Sequence, residues 1–395
     1  MPRKTRIQEI DLLRGLAFLA VVMQHAIAHY AAVPQAGLED AVVMTMILTA
    51  AKFAVPVFIF ITGLVLFYNY DGELHYGQFL VKRFKDIIVP YLLWSVVFYV
   101  FNHGPVWNIT ADLQQLGRKL FTGKTSFHLW YIVMIIQFYL LFPVVRRLIR
   151  FIVKRNTDKL NLIALIAAGL LYVGLTGWIG RIAGIMSGTG IPLLEPLFTI
   201  YADRNVLYFY FYFVLGAAAG LNLERWRSWI MKRQVYIFSA GLVLSLWLIY
   251  DVTRPFEGVS SGFNFNRMAL LHPFMAVFCV VSVLVVYRLA MMLNKAASQR
   301  VLGVIRWLGL VSYGAYLIHP LMLRLAYVLD AAIYFNLNAT LRMLISFLLC
   351  LLLSGAASWL LSVLPLGRYT AGLSLRRKKN KTVPGIKGPG IEAAK

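Results

Sequence analysis

The sequence predicts an all-α, polytopic integral membrane protein with about ten transmembrane helices and both termini in the cytoplasm. Three observations carry that expectation. Of the 395 residues, 60% are hydrophobic and 14% are charged, whereas soluble domains run nearer about a quarter charged. Apolar segments of spanning length recur along the chain, and a lipid phase solvates what no soluble core of this size hides. Lysine and arginine collect in every second loop, which marks the cytoplasmic side of a membrane protein.

Taken in order, spans are expected at about 10–32, 41–68, 86–102, 129–149, 160–180, 205–221, 235–250, 265–290, 305–328 and 338–364. Arg3, Lys4 and Arg6 precede the first. Asp11, Arg14 and His25 interrupt or border its apolar run, so it reads as a retained helix; a cleaved signal peptide has an apolar core throughout. The second span contains Lys52 and Pro56 and leads to Lys82, Arg83 and Lys85. Pro90 lies near the start of the third, and the fourth holds Pro143 and runs into Arg146, Arg147, Arg150, Lys154 and Arg155. In the sixth, three alanines separate Gly216 from Gly220, a small-residue spacing that predicts a close helix contact. The eighth and ninth contain Pro273 and Pro320. Prolines are tolerated in membrane helices where neighbours satisfy the freed carbonyls. In all, about 28 basic residues fall on one side and about six, namely Arg118, Lys119, Lys124, Arg181, Arg204 and Arg254, on the other.

Residues 1–365 are read as a single transmembrane domain and 366–395 as a basic, disordered cytoplasmic tail able to lie against anionic lipid. The net charge of +23 does not point to nucleic acid, because the basic residues sit between apolar runs rather than on one face. Cys279 and Cys350 fall inside apolar runs and read as small buried hydrophobes, so no disulfide or metal site is expected. The composition fits a multi-pass protein of a bacterial plasma membrane.

An ionisable residue inside a span is costly and is a functional candidate by default. The candidates are Arg14, His25, Lys52, Arg267, His272, His319, Arg324 and Arg342. Arg14 and His25 are eleven residues apart, which places them within about 20° on one helix face and about 16 Å apart along it. Asp11 and His29 extend that polar stripe. Arg14 then belongs near the cytoplasmic mouth and His25 in the outer half of the membrane. His128 is expected at the outer end of the fourth span, His272 about 10 Å inward in the eighth and His319 about 20 Å up the ninth. These histidines are expected to converge with His25 in one layer. A packing role for His25, with an Asp11–Arg14 ion pair at the helix end, is the plainer alternative. A metal cluster is another, but only His25 and His29 have close ligand spacing. Lys52 lies too deep to reach the interface easily, and Arg267 suits either an interfacial anchor or a substrate clamp.

The segment Ile10–Ala17 followed by His25 resembles the first helix of the acyltransferase family 3 membrane proteins, which carry an arginine, ten residues and a histidine. Collinear likenesses follow at Phe53–Gly63, at His128–Tyr131 continuing to Gln137–Pro143, and at Ser312–Pro320. The resemblance covers roughly residues 6–365. It implies transfer of an acetyl or succinyl group onto hydroxyls of cell-surface polysaccharides or lipid-linked glycans, with acyl-CoA as the usual cytoplasmic donor and no tightly bound cofactor. It also implies that Arg14 and His25 matter most. Membrane lipid, acyl-CoA, a glycan acceptor and proteins of polysaccharide synthesis are the implied partners.

On that implication the stripe has a use. Arg14, with Asp11 beside it, would bind the acyl donor at the cytoplasmic mouth, where phosphates favour arginine. The pantetheine arm, on the order of 15–20 Å, matches the Arg14–His25 distance. His25 would act as general base on the acceptor hydroxyl, with His128 and His319 as further catalytic candidates and Lys52, Arg267 and His272 as substrate or oxyanion candidates. The competing expectation is a transporter or flippase for a glycan or lipid-linked sugar, which intramembrane charges and kinked helices suit equally.

Overall fold

The structure, a computed structural model, describes residues 5–104, 109–256, 259 and 263–375. Its helices are α1 (Gln8–Tyr30), α2 (Leu38–Ala51), α3 (Ala54–Asn69), α4 (Tyr76–Arg83), α5 (Val89–His103), α6 (Ile109–Thr122), α7 (Trp130–Arg155), α8 (Asp158–Met186) and α9 (Leu194–Phe198). After these come α10 (Tyr210–Leu221), α11 (Leu223–Lys232), α12 (Gln234–Thr253), α13 (Pro273–Ala296), α14 (Gln299–Leu329), α15 (Ala339–Val363) and α16 (Gly367–Thr370). Short π-helices, Phe84–Ile88 and Asp330–Tyr334, join α4 to α5 and extend α14. Among the described residues nine helical stretches are long and apolar enough to cross a membrane, and α10 is a shorter apolar helix. The chain is an all-α polytopic membrane protein.

Helix α1 lies at the centre, packed against α2, α3, α13, α14 and α15, while α8 and α12 are the least buried spans. The core contacts depend on missing side chains. A Cβ at Gly216 would meet the backbone of Phe60 and Leu64, and one at Gly220 the backbone of Leu64 and Tyr68. The small-residue spacing read from sequence is therefore where α10 lies backbone to backbone on α3. Gly15 and Gly309 similarly bring α1 and α14 together, against Ile305 and Asp11.

The second expected span is not one helix. It breaks at Lys52 and Phe53, between α2 and α3. Pro56 lacks the N–H that would bond the Lys52 carbonyl, four residues back. The freed carbonyls find other donors: Gln24 Nε2 donates to Ala51 O at 2.8 Å, and Cys279 Sγ lies 3.9 Å from Lys52 O. The eighth span also starts later than its hydropathy suggests. Pro273 occupies the first turn of α13, and His272 is its N-cap.

The basic residues gather at one end of the bundle. There Arg6 pairs with Asp11 at 2.6 Å, Arg227 with Glu9 at 2.8 Å and Arg368 with Asp86 at 2.5 Å. Arg146 Nε donates to the Tyr70 carbonyl at 2.9 Å, and Tyr68 OH donates to the Thr5 carbonyl at 3.1 Å. Residues 366–375, grouped with the tail on sequence, fold back onto this end. Trp94 Nε1 donates to Thr370 O at 2.8 Å, and Leu375 N to Ser362 O at 2.8 Å. The basic stretch from 376 onward lies outside the described residues. At the opposite end, Tyr30 bonds Ser346 at 2.7 Å and Arg324 Nη2 donates to Asn102 Oδ1 at 2.8 Å. Both termini of the described chain thus belong to the basic end.

Candidate active site

Three histidines, from two helices and a turn, meet in the bundle. His25 comes from α1, His128 from the turn before α7 and His319 from α14. The rings of His25 and His319 are stacked, 5.3 Å between centroids and 23° between planes. His128 meets His319 edge-on at 4.9 Å. His128 and His319 are buried, and His25 is partly exposed.

Helix chemistry sets the His319 ring. Pro320 follows it inside α14. Without an N–H, Pro320 leaves the Tyr316 carbonyl unpaired, four residues back. His319 Nδ1 takes that place, 2.6 Å from Tyr316 O. A carbonyl only accepts, so Nδ1 carries the proton and Nε2 of the neutral ring carries the lone pair. That Nε2 is buried and has no hydrogen-bond partner. The His–Pro pair thus fixes a tautomer whose unprotonated nitrogen is buried within the bundle. His128 is held from both sides: its Nδ1 lies 3.1 Å from Ser126 Oγ, and Tyr316 OH donates to its carbonyl.

The His25 ring packs against other rings: His319, and Phe127 edge-on at 4.6 Å and 61°. Tyr327 OH donates to the His25 carbonyl at 3.3 Å and stacks on His29 at 3.7 Å. Lys52, at the break between α2 and α3, lies within electrostatic reach of both His25 and Cys279. The three imidazoles pack face and edge, and among the described residues no three His, Cys, Asp or Glu side chains are placed to hold a metal ion.

Arg14 lies at the other end of the α1 stripe. It lines a cleft of ≈ 230 Å³ with Thr5, Arg6, Asp11, Tyr68 and Asn69. Asp11 pairs with Arg6 rather than forming the ion pair with Arg14 that the sequence allows. Arg14 is within electrostatic reach of Tyr131. The Tyr131 ring is 5.9 Å from that of Tyr316, which is 5.0 Å from that of His128. Tyrosines therefore link the arginine cleft to the histidines. A second basic groove of ≈ 460 Å³, with Arg146, Arg147, Arg150 and Lys154, opens beside the end of α7.

The remaining candidates lie elsewhere. His272 is exposed and caps α13, with Nδ1 accepting from Phe274 N at 3.3 Å. Arg267 pairs with Asp251. Arg342 forms a buried two-point pair with Asp330, at 2.9 and 2.7 Å, in the π-helix after α14. Sequence reasoning found Arg342 but missed Asp330, and it missed Phe127, Tyr131 and Tyr316. Only the fold brings those side chains to the stripe. The one sequence signal was the run Phe127-His128 and Tyr316 three residues before His319.

The multi-pass helical bundle thus carries a histidine cluster at one end of its central helix and an arginine cleft at the other. Residues 7–361 match the family model described as an acyltransferase domain. The chain belongs to that family, acyltransferase 3, and is a membrane acyltransferase. Over 271 residues it is 23% identical to a protein of Staphylococcus epidermidis named "Probable poly-beta-1,6-N-acetyl-D-glucosamine export protein", covering 69% of this chain and 68% of that relative. No solved structure matches the chain.

Proposed function

We propose that this acyltransferase moves an acetyl or succinyl group from cytoplasmic acyl-CoA to a hydroxyl of an extracytoplasmic cell-surface polysaccharide or lipid-linked glycan, in a bacterial plasma membrane. The observation that carries the reading is the stacked His25–His319 pair on the same central-helix face as Arg14, joined to it by Tyr131 and Tyr316. CoA phosphates sit at the Arg14 cleft, where a guanidinium suits them. The pantetheine arm follows α1 for about 16 Å and delivers the thioester to the histidines.

His25 removes the acceptor hydroxyl proton as the oxygen attacks the thioester carbonyl. The C–O bond forms, the C–S bond breaks, and the proton passes from His25 to the departing thiolate to give free CoA. Lys52 offers positive charge to the oxyanion. The His319 lone pair stays beside His25 and stabilises the imidazolium that forms.

The test is CoA release by purified protein in lipid vesicles, with labelled acetyl-CoA or succinyl-CoA and a panel of surface glycans. His25→Ala should lower transfer by at least about a hundredfold while leaving melting and membrane level intact. Wild-type transfer by that variant sinks the assignment of His25. The relative's name favours one second reading, glycan export. An exporter moves labelled glycan across the vesicle wall without consuming acyl-CoA, so the same preparation separates the two.

A further inference from the structure

The turn between α6 and α7 presents a ring that the transfer chemistry leaves unused. Phe127 is 57% exposed, yet its centroid lies 4.6 Å from that of His25, 5.6 Å from His128 and 6.2 Å from His319. None of these contacts is stacked, so no imidazole lies flat on the phenyl face. The turn is anchored on every side. Gly123 has φ +65°, and a Cβ there would meet Trp130 N at 2.9 Å. Asn102 Nδ2 donates to Thr125 O at 3.0 Å, Leu129 N to Ser126 O at 3.2 Å, and Arg204 Nε to the Thr122 carbonyl. Thr125 and His128 on either side are each 2% exposed. A rigid seat thus holds one open phenyl ring beside the base. A lipid-facing phenylalanine needs no such seat and touches alkyl chains rather than three imidazoles.

The geometry points to Phe127 as the platform for a pyranose ring of the acceptor. One face of a pyranose is a patch of C–H groups, and its rim carries hydroxyls. Binding sites for such ligands combine an aromatic surface with a few placed polar groups. A sugar lying on Phe127 holds its rim level with the His25 ring, so a hydroxyl stands beside the base. Tyrosine in this place keeps the surface, whereas leucine keeps only the bulk. This inference rests on the acyl-transfer reading and adds to it the residue that seats the acceptor.

The experiment compares wild type with Phe127→Tyr, Phe127→Leu and Phe127→Ala in lipid vesicles. The donor is acetyl-CoA, and the probes are β-1,6-linked N-acetylglucosamine and β-1,4-linked glucose oligosaccharides. Saccharide binding is read by calorimetry and turnover by CoA release. The leucine and alanine variants should weaken saccharide binding and raise its KM about tenfold, with tyrosine within about threefold of wild type. The KM for acetyl-CoA should be the same in all four. Equal saccharide binding by the tyrosine and leucine variants overturns the platform, as does a wild type that binds neither saccharide. A shift in the acetyl-CoA KM instead assigns Phe127 to the donor and overturns it too. CoA release that survives His25→Ala counts against the transfer reading alone, because saccharide binding is measured separately.

Discussion

At the scale of single residues, the site is built from what proline removes. Pro320 takes a donor from the Tyr316 carbonyl, and His319 Nδ1 supplies one at 2.6 Å. Pro320→Ala should return a backbone N–H to compete for that carbonyl and loosen the His319 tautomer. Turnover is expected to fall about tenfold and its pH profile to move, while the melting temperature holds or rises, since an interior helix proline costs about 3 kcal/mol. Unchanged turnover with raised stability would show that the tautomer is not needed. Much of this scale was legible in the sequence. The eleven-residue spacing gave the Arg14–His25 stripe, and the polar cost of a bilayer singled out His319. His272 went astray because the hydropathy of 265–272 resembles a span, whereas Pro273 sets the helix start. Asp330 was invisible, and Phe127 was marked only by its place next to His128, because neither is unusual until another helix stands next to it.

At the scale of elements, backbone approach decides which helices pair. Gly216 and Gly220 on α10, with Gly63 on α3, leave no room for a side chain between the two helices. Gly216→Leu should cost about 3 kcal/mol of stability, or prevent folding outright, since overpacking a tight contact cannot be relieved by a rotamer change. Gly174→Ala on α8, with nothing within 4 Å of its Cβ position, is the control and should be neutral or slightly stabilising. Unfolding in mixed detergent reads both; equal midpoints would contradict the backbone contact. The glycine spacing announced this contact in the sequence. It did not announce that α10 has only 12 residues, because the short 3-10 turn at Val206–Tyr208 carries the same apolar composition as a span.

At the scale of the whole molecule, charge and topology agree. Ion pairs of Arg6, Arg225, Arg227 and Arg368 lie at one end of the bundle, with the carbonyl contacts of Arg146. The alternation of basic loops was therefore a sound guide to which helix ends lie together. The tail boundary was less legible, because a basic, glycine-containing segment reads as solvated until its partners are known. Removing residues 376–395 should leave the melting temperature unchanged. Removing 366–395 should lower stability by on the order of 2 kcal/mol, through the lost bonds of Thr370 and Leu375 and the Arg368–Asp86 pair. Identical melting curves for the two truncations would mean that the α16 segment contributes nothing to the bundle.

The break at Lys52 also makes the second span a lever. Its α3 arm is clamped along α10 by glycines, whereas its α2 arm bears on α12, α1 and α15. The fulcrum is the two-residue joint, and the load is a lysine ammonium beside His25. A bundle tied along its glycine seams thus interrupts its second span beside the histidine cluster, with the carbonyls at the break held by Gln24 and Cys279.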